Sequence, residues 1–265
     1  MVSLEGKNAL IIGVANERSI AWGIARQLHS AGCKLGFTYV GDALEKRVRP
    51  LAESVGSTFI EPCDAGDDAQ IEAVFNKWQK TFGTMDIFVH AVAFADRNDL
   101  KGRFHETSRK GFNLAMDISV FSLVAMAKHA VPLMKENGGS ILTLTYFGAE
   151  KAVKGYNVMG VAKAALESSV RYLAADLGPE NIRVNAISAG PIKTLASSGI
   201  GDFRKMLKHH AKVAPLQRNV TQEEVGKAAL YLCSELGSGV TGEIMHVDNG
   251  YNAVSIPPEK EDSEN

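Results

Sequence analysis

Short apolar runs rich in branched side chains alternate with longer segments of helical periodicity along nearly the whole chain, and no other feature restricts the fold as much. Residues 8–12 form a continuous apolar run, the pattern of a strand covered on both faces. Strands joined through helices cross over and run parallel, so the alternation predicts an α/β fold, a doubly wound parallel sheet of about seven strands with helices on both faces. The reading places strands at 8–12, 35–40, 58–63, 85–90, 139–145, 183–188 and 243–247. Helices are expected at 19–31, from about 42 to 55, at 68–82, at about 108–136 with an interruption or kink at Pro132, at 156–177 with most of the circumference buried, and from Thr221. No repeat, linker or shift of composition divides the chain, so residues 1–254 are expected to form a single domain. The polar, acidic residues 255–265 read as a disordered tail.

Charge narrows the partners. With 29 Lys and Arg against 30 Asp and Glu, the formal net charge of −1 offers no electrostatic case for nucleic acid or a membrane surface. No run reaches the roughly 20 apolar residues of a membrane span, and the N-terminus enters a strand without a signal-like segment. Cys33, Cys63 and Cys233 are odd in number and widely spaced, as expected of reduced, buried thiols in a cytoplasmic protein. The seven histidines form no metal-ligand cluster, so no metal is expected, and His209 and His210 read as solvated or capping residues.

Gly13 and a helix start follow the first strand, an arrangement in which N-terminal amides and the helix dipole receive a pyrophosphate. The G-x-G-x-x-G pattern is incomplete, however: the next glycine is Gly23, with Ser19 and Ile20 standing near the tight turn. On pattern alone a dinucleotide site and a plain strand–helix turn both stay open, and Ser19 reads equally as an N-cap. The second strand ends without the acid that holds an adenosine ribose, Asp42 being better used as a helix cap with Glu45 at capping-box spacing. No Arg or Lys precedes Lys46 and Arg47 to receive a 2′-phosphate, and NADH is the expected cofactor.

Residues 146–163 join the fifth strand to the following helix, the place where α/β sheets bind ligands. Tyr156 and Lys163 stand seven positions apart. On a helix that is about 700°, within about 20° of one face and about 10.5 Å along the axis, so both can address one bound cofactor. Taken singly, a tyrosine at a helix start and a snorkelling lysine are also ordinary packing residues.

The segment 13–23, the pair Tyr146 and Tyr156, and the Tyr156-x6-Lys163 spacing together resemble the enoyl-[acyl-carrier-protein] reductases of bacterial type II fatty-acid synthesis, a divergent branch of the short-chain dehydrogenase/reductase superfamily. The resemblance runs from about residue 4 to 254. It implies a Rossmann-like fold, NAD in its reduced form as cofactor, and hydride transfer to the β-carbon of a trans-2-enoyl thioester carried by acyl carrier protein. It also implies a homotetramer with the helices near 108–136 and 156–177 between subunits. By the same resemblance Gly13, Ser19 and Ile20 line the pyrophosphate, Val40, Cys63 and Asp64 the adenosine end, and Ala91, Val92 and Ala93 the ribose and nicotinamide. Lys163 holds the nicotinamide ribose, Ile192 and Thr194 flank the carboxamide and phosphates, and Tyr146, Tyr156, Met159 and Phe203 surround the acyl thioester. The catalytic group so implied is Tyr156, Lys163 and Tyr146. Three positions depart from the family: Ala93 where Gly is usual, Ala91 where Ser is frequent, and Val40 where Gln is common in NADH users. The methyl of Ala93 bears on pocket width and inhibitor response rather than on the reaction.

A carbonyl reductase of the same superfamily is the rival. Such enzymes carry Tyr-x3-Lys and a serine about 13 residues before the tyrosine; this chain has Gly160 and Thr143 there. A non-catalytic nicotinamide sensor is the reading from another class, and the Tyr156/Lys163 pair argues against it. Residues 189–214 form a connection longer than usual, as expected of a substrate lid. Within it Arg204, Lys205, Lys208 and Lys212 share one helical sector, readable as a solvated basic face or as a dock for an acidic carrier protein.

Overall fold

Seven strands, β1 (Asn8–Ile12), β2 (Lys34–Tyr39), β3 (Phe59–Pro62), β4 (Ile87–His90), β5 (Gly139–Thr145), β6 (Ile182–Ala189) and β7 (Ile244–Val247), lie in the order β3-β2-β1-β4-β5-β6-β7, every neighbouring pair parallel. The structure is a computed structural model and describes residues 2–195, 197 and 203–255; the expected tail beyond 255 and part of the expected lid lie outside these residues. The chain winds outward from β1 to β3, then returns to the other side of β1 with β4. Crossovers leave β1 and β4 in opposite directions, which opens a crevice above their C-terminal ends.

Side-chain alternation along the strands sorts the interior into two cores. Leu10 and Ile12 of β1 and Phe88 of β4 face a core closed by α3 (Asp68–Phe82), α5 (Ser122–Met134) and α6 (Val158–Leu177). Ala9 and Ile11, with Ile87 and Val89, face the opposite core under α1 (Ile20–Ser30), α2 (Gly41–Ser54) and α8 (Gln222–Cys233). The three cysteines are free and buried, and burial pushes the Cys33 and Cys63 thiols up to about 12. Thr221 caps α8 through its hydroxyl, with Glu224 completing the box, and Asp67 caps α3.

Several local expectations give way. α2 begins at Gly41 with Val40 as its cap residue, so Asp42 lies inside the first turn and the Asp42/Glu45 capping box does not form; Glu45 pairs with Arg49 instead. α4 (Arg109–Met116) runs into a π-helical turn (Asp117–Phe121) and then α5, so the interruption falls there while the helix continues through Pro132. Joined in this way, residues 109–134 make one helical run long and apolar enough by composition to cross a bilayer, contrary to expectation. Its inner face, including Leu123, Met126 and Ala130, is spent on the core. α6 buries a single stripe, and Val161 and Tyr172 are exposed, so the expectation of a mostly buried circumference fails within one chain. α6 also starts at Val158, leaving Tyr156 in the turn before it.

Candidate active site

At the crevice between β1 and β4, Gly13 has φ +107°, and a Cβ there would run into the carbonyl of Ala91. Only glycine lets the two strand ends close up as they leave the sheet. The chain then turns into α1, whose first amides have no partner within the helix. Ser19 stands at the cap position but caps nothing in α1: its Oγ accepts from the amides of Ala15 (3.0 Å) and Asn16 (3.1 Å), folding the preceding loop onto itself. Sequence could not separate these uses, since both need the same hydroxyl.

A cavity of about 630 Å³ extends from this turn across the C-terminal edge of the sheet. Gly13, Ser19 and Ile20 line one end, and Ala91, Val92 and Ala93 its floor. Tyr146, Tyr156, Met159 and Lys163 line the β5–α6 side, and Ile192, Thr194 and Phe203 the side beyond β6. Val40, Cys63 and Asp64 do not line this cavity. Val40 is exposed at the end of β2, and Asp64 Oδ1 accepts from the Gly66 amide at 2.9 Å. The Cys63 side chain is buried in the core, so only its backbone can meet a ligand.

Tyr146 follows the last residue of β5, and its ring meets that of Tyr156 edge to face at 5.0 Å. Tyr156 is 8% exposed, and burial, reinforced by Tyr146, raises its hydroxyl well above the ordinary tyrosine range. Burial likewise pushes Tyr146 up to about 12, and its Oη donates to Met206 Sδ at 3.4 Å. Lys163, 6% exposed, donates from Nζ to the carbonyl of Leu144 at 2.7 Å. Burial lowers it to about 8, partly countered by Glu167 one turn along α6, whose Oε1 accepts from Thr145 at 2.7 Å. An ammonium has three donors, so two remain for a ligand in the cavity.

Glycine also decides the spacing of the pair. A Cβ on Gly148 would stand 2.5 Å from the Tyr156 ring, and one on Gly160 would stand 2.8 Å from the Gly148 carbonyl. Position 160 is thus closed to a side chain by backbone. Thr143, at the place of the rival's serine, is buried in β5 and bonded to His90 Nδ1 (3.0 Å).

Beyond β6, α7 (Phe203–Val213) carries Arg204, Lys205, Lys208 and Lys212 on its exposed surface. His210 is neither solvated nor capping: it is buried and stacks on Tyr251 at 4.7 Å, because that face of α7 turns inward. Phe94, Leu100 and Met206 also line the main cavity and were not singled out as site residues from sequence. Met206 could have been found, three positions after Phe203 on the apolar face of α7. Phe94 and Leu100 lie in an irregular stretch without periodicity to read. Among the described residues no cluster of metal-ligating side chains occurs.

A family model described as Enoyl-(Acyl carrier protein) reductase matches residues 13–252. An enoyl-[acyl-carrier-protein] reductase [NADH] of Rhizobium meliloti is 58% identical over 96% of this chain and 93% of its own. The crystal structure of the Bacillus cereus enoyl-acyl carrier protein reductase with NADP+ and indole naphthyridinone superposes with a TM-score of 0.94 at 55% identity, covering 97% of this chain and 100% of that one. The Anaplasma phagocytophilum reductase in complex with NAD gives 0.93 at 53% identity, covering 97% of each. Sheet order, cavity and similarity over nearly the whole length agree: this chain belongs to the enoyl-[acyl-carrier-protein] reductase family.

Proposed function

We propose that this chain is an NADH-dependent enoyl-[acyl-carrier-protein] reductase, which adds hydride to the β-carbon and a proton to the α-carbon of a trans-2-enoyl thioester to leave a saturated acyl thioester. The observation that carries the reading is the meeting of Tyr156 and Lys163 in one cavity while position 160 is closed to a lysine.

The cavity fits a dinucleotide. The N-terminus of α1 suits a pyrophosphate, and the buried Lys163 ammonium has donors to spare for ribose hydroxyls. Bound NADH supplies the hydride. Gly13, Ser19 and Ile20 would receive the phosphates, Ala91, Val92 and Ala93 would lie beside the ribose and nicotinamide, and Ile192 and Thr194 would flank the carboxamide. Val40, the backbone of Cys63 and Asp64 would border the adenosine end outside the cavity, Asp64 accepting from the adenine amino group. Lys163 orients the ribose and contributes positive potential. Tyr156, kept protonated by burial, donates a hydrogen bond to the thioester oxygen, where enolate charge collects after hydride addition. A donor that gains strength as charge develops stabilises the transition state more than the ground state. Tyr146, Met159 and Phe203 enclose the acyl side.

Residues 1–254 then act as one domain with 189–214 as the lid, and the exposed basic face of α7 docks the acidic carrier protein by charge. Exposed Phe121, Val124, Val161 and Tyr172 on the 109–134 run and α6 suit burial between subunits of a homotetramer. The enzyme works in the cytoplasm, on substrates soluble as carrier-protein thioesters. The deciding assay follows NADH and NADPH absorbance with crotonyl-CoA and, separately, acetoacetyl-CoA. Oxidation of NADH with the enoyl substrate and little with the oxo substrate is expected; the reverse pattern sinks the reading in favour of a carbonyl reductase.

A further inference from the structure

A π-helical turn widens the helix by one residue per turn and persists mainly where it aims side chains at a functional site. In the run 109–134 the turn Asp117–Phe121 brings Ser119 and Ser122 onto β4 and the segment that leaves it. Ser119 is fully buried, and its Oγ accepts from the Phe94 amide and donates to the Phe94 carbonyl, both at 3.0 Å. A hydroxyl carries one hydrogen, so its 3.8 Å approach to Met159 Sδ is packing against the cavity wall. Ser122 donates to the Ile118 carbonyl at 2.7 Å and its oxygen pairs with His90 Nε2 at 2.8 Å. The other His90 nitrogen bonds Thr143 on β5.

These contacts bracket one short stretch. The Ala91 amide still donates to Ile12 on β1 at 2.9 Å, and the chain then departs from the sheet. Ser122, through His90, holds the start of the stretch and Ser119 holds its end, while Ala91, Val92 and Ala93 between them face the cavity. We propose that the π-turn is a positioning device for this floor, with Ser119 as the positioning residue that sets where the nicotinamide lies relative to Tyr156. The proposal rests on the reductase reading above. A serine needed only to satisfy buried backbone would affect stability; one that sets the floor must also affect hydride transfer.

The test uses the full chain. Turnover of wild-type protein with NADH and crotonyl-CoA comes first, and its absence sinks the reductase reading separately. In Ser119→Ala, single-turnover hydride transfer is expected to slow about tenfold, the scale of one lost hydrogen bond expressed in the transition state. With NADH deuterated at the transferred position the isotope effect on kcat should rise, KM for NADH should rise, and Tm should move by only a few degrees. Ser119→Cys keeps the volume with a weaker donor; it should fall between the two and replaces the alanine variant should that fail to fold. A wild-type isotope effect and wild-type KM for NADH in a folded variant overturn the proposal, whatever the change in Tm.

Discussion

The two walls of the cavity are built on different principles. On the β5–α6 side, Tyr156 and Lys163 are buried and either bonded or stacked, and the Tyr156 ring is closed in at Gly148. Beyond β6, α7 buries only His210 among its described residues, and Leu195 is 44% exposed. Groups that meet developing charge gain most from being fixed before the substrate arrives, because no reorganisation is then needed during the reaction. A wall with few buried groups keeps adaptability instead, at the cost of contributing less to stability.

That contrast can be broken most directly on the rigid wall. Tyr156→Phe is expected to lower kcat by about 10² to 10³, the usual effect of deleting one donor to a developing oxyanion, with NADH affinity kept. Lys163→Ala is expected to weaken NADH binding roughly 10²-fold through the loss of charge-assisted bonds. Kinetics paired with fluorescence titration of NADH separate the two, and an equal loss of cofactor affinity in both contradicts the roles assigned. Gly148→Ala, which drives a methyl into the Tyr156 ring, should cost about 1–3 kcal/mol of stability in a denaturant titration and lower kcat as well. Unchanged kcat in that variant means the tyrosine need not be held so firmly.

A smaller effect follows from titration of Lys163. Its pKa of about 8 in the folded chain lies below the ordinary lysine value of 10.5, so between these values the unfolded chain holds more protons and stability rises with pH. Cofactor binding goes the opposite way: deprotonation above about pH 8 removes the ammonium, and NADH affinity should fall there, read as KM against pH. A flat profile to pH 9 points to a stronger counter-charge from Glu167. The smallest effect belongs to the adaptable wall. Arg204→Glu with Lys205→Glu should slow turnover of carrier-protein substrates a few-fold at low salt and leave CoA thioesters unaffected. Equal rates on carrier-protein substrates end the docking assignment.

Legibility in the sequence tracked how local each signal was. β1, β5 and α3 are written in short runs and caps, and they lie where periodicity places them. The π-turn at 117–121 was not legible, because a one-residue widening leaves the apolar pattern nearly intact; Pro132 looked like the break only because proline disrupts most helices. The run rich in Ala, Val, Leu and Met places the start of α6 at about Tyr156. Residue 157 instead takes φ +38°, and the tyrosine reaches the cavity from the turn. His210 looked like one of a polar pair, and only the packing of α7 on Tyr251 turns it inward.

By itself the sequence determined the alternation of elements, hence a parallel doubly wound sheet, and the residue types at its C-terminal edge, because periodicity and spacing are properties of neighbours along the chain. Tertiary structure decided which of those residues share a cavity and how firmly each is held. Gly13 against Ala91 and Ser119 against Phe94 are contacts between segments far apart in the chain, Gly160 against Gly148 is one across the β5–α6 connection, and their close approach sets the walls within which Tyr156 and Lys163 meet.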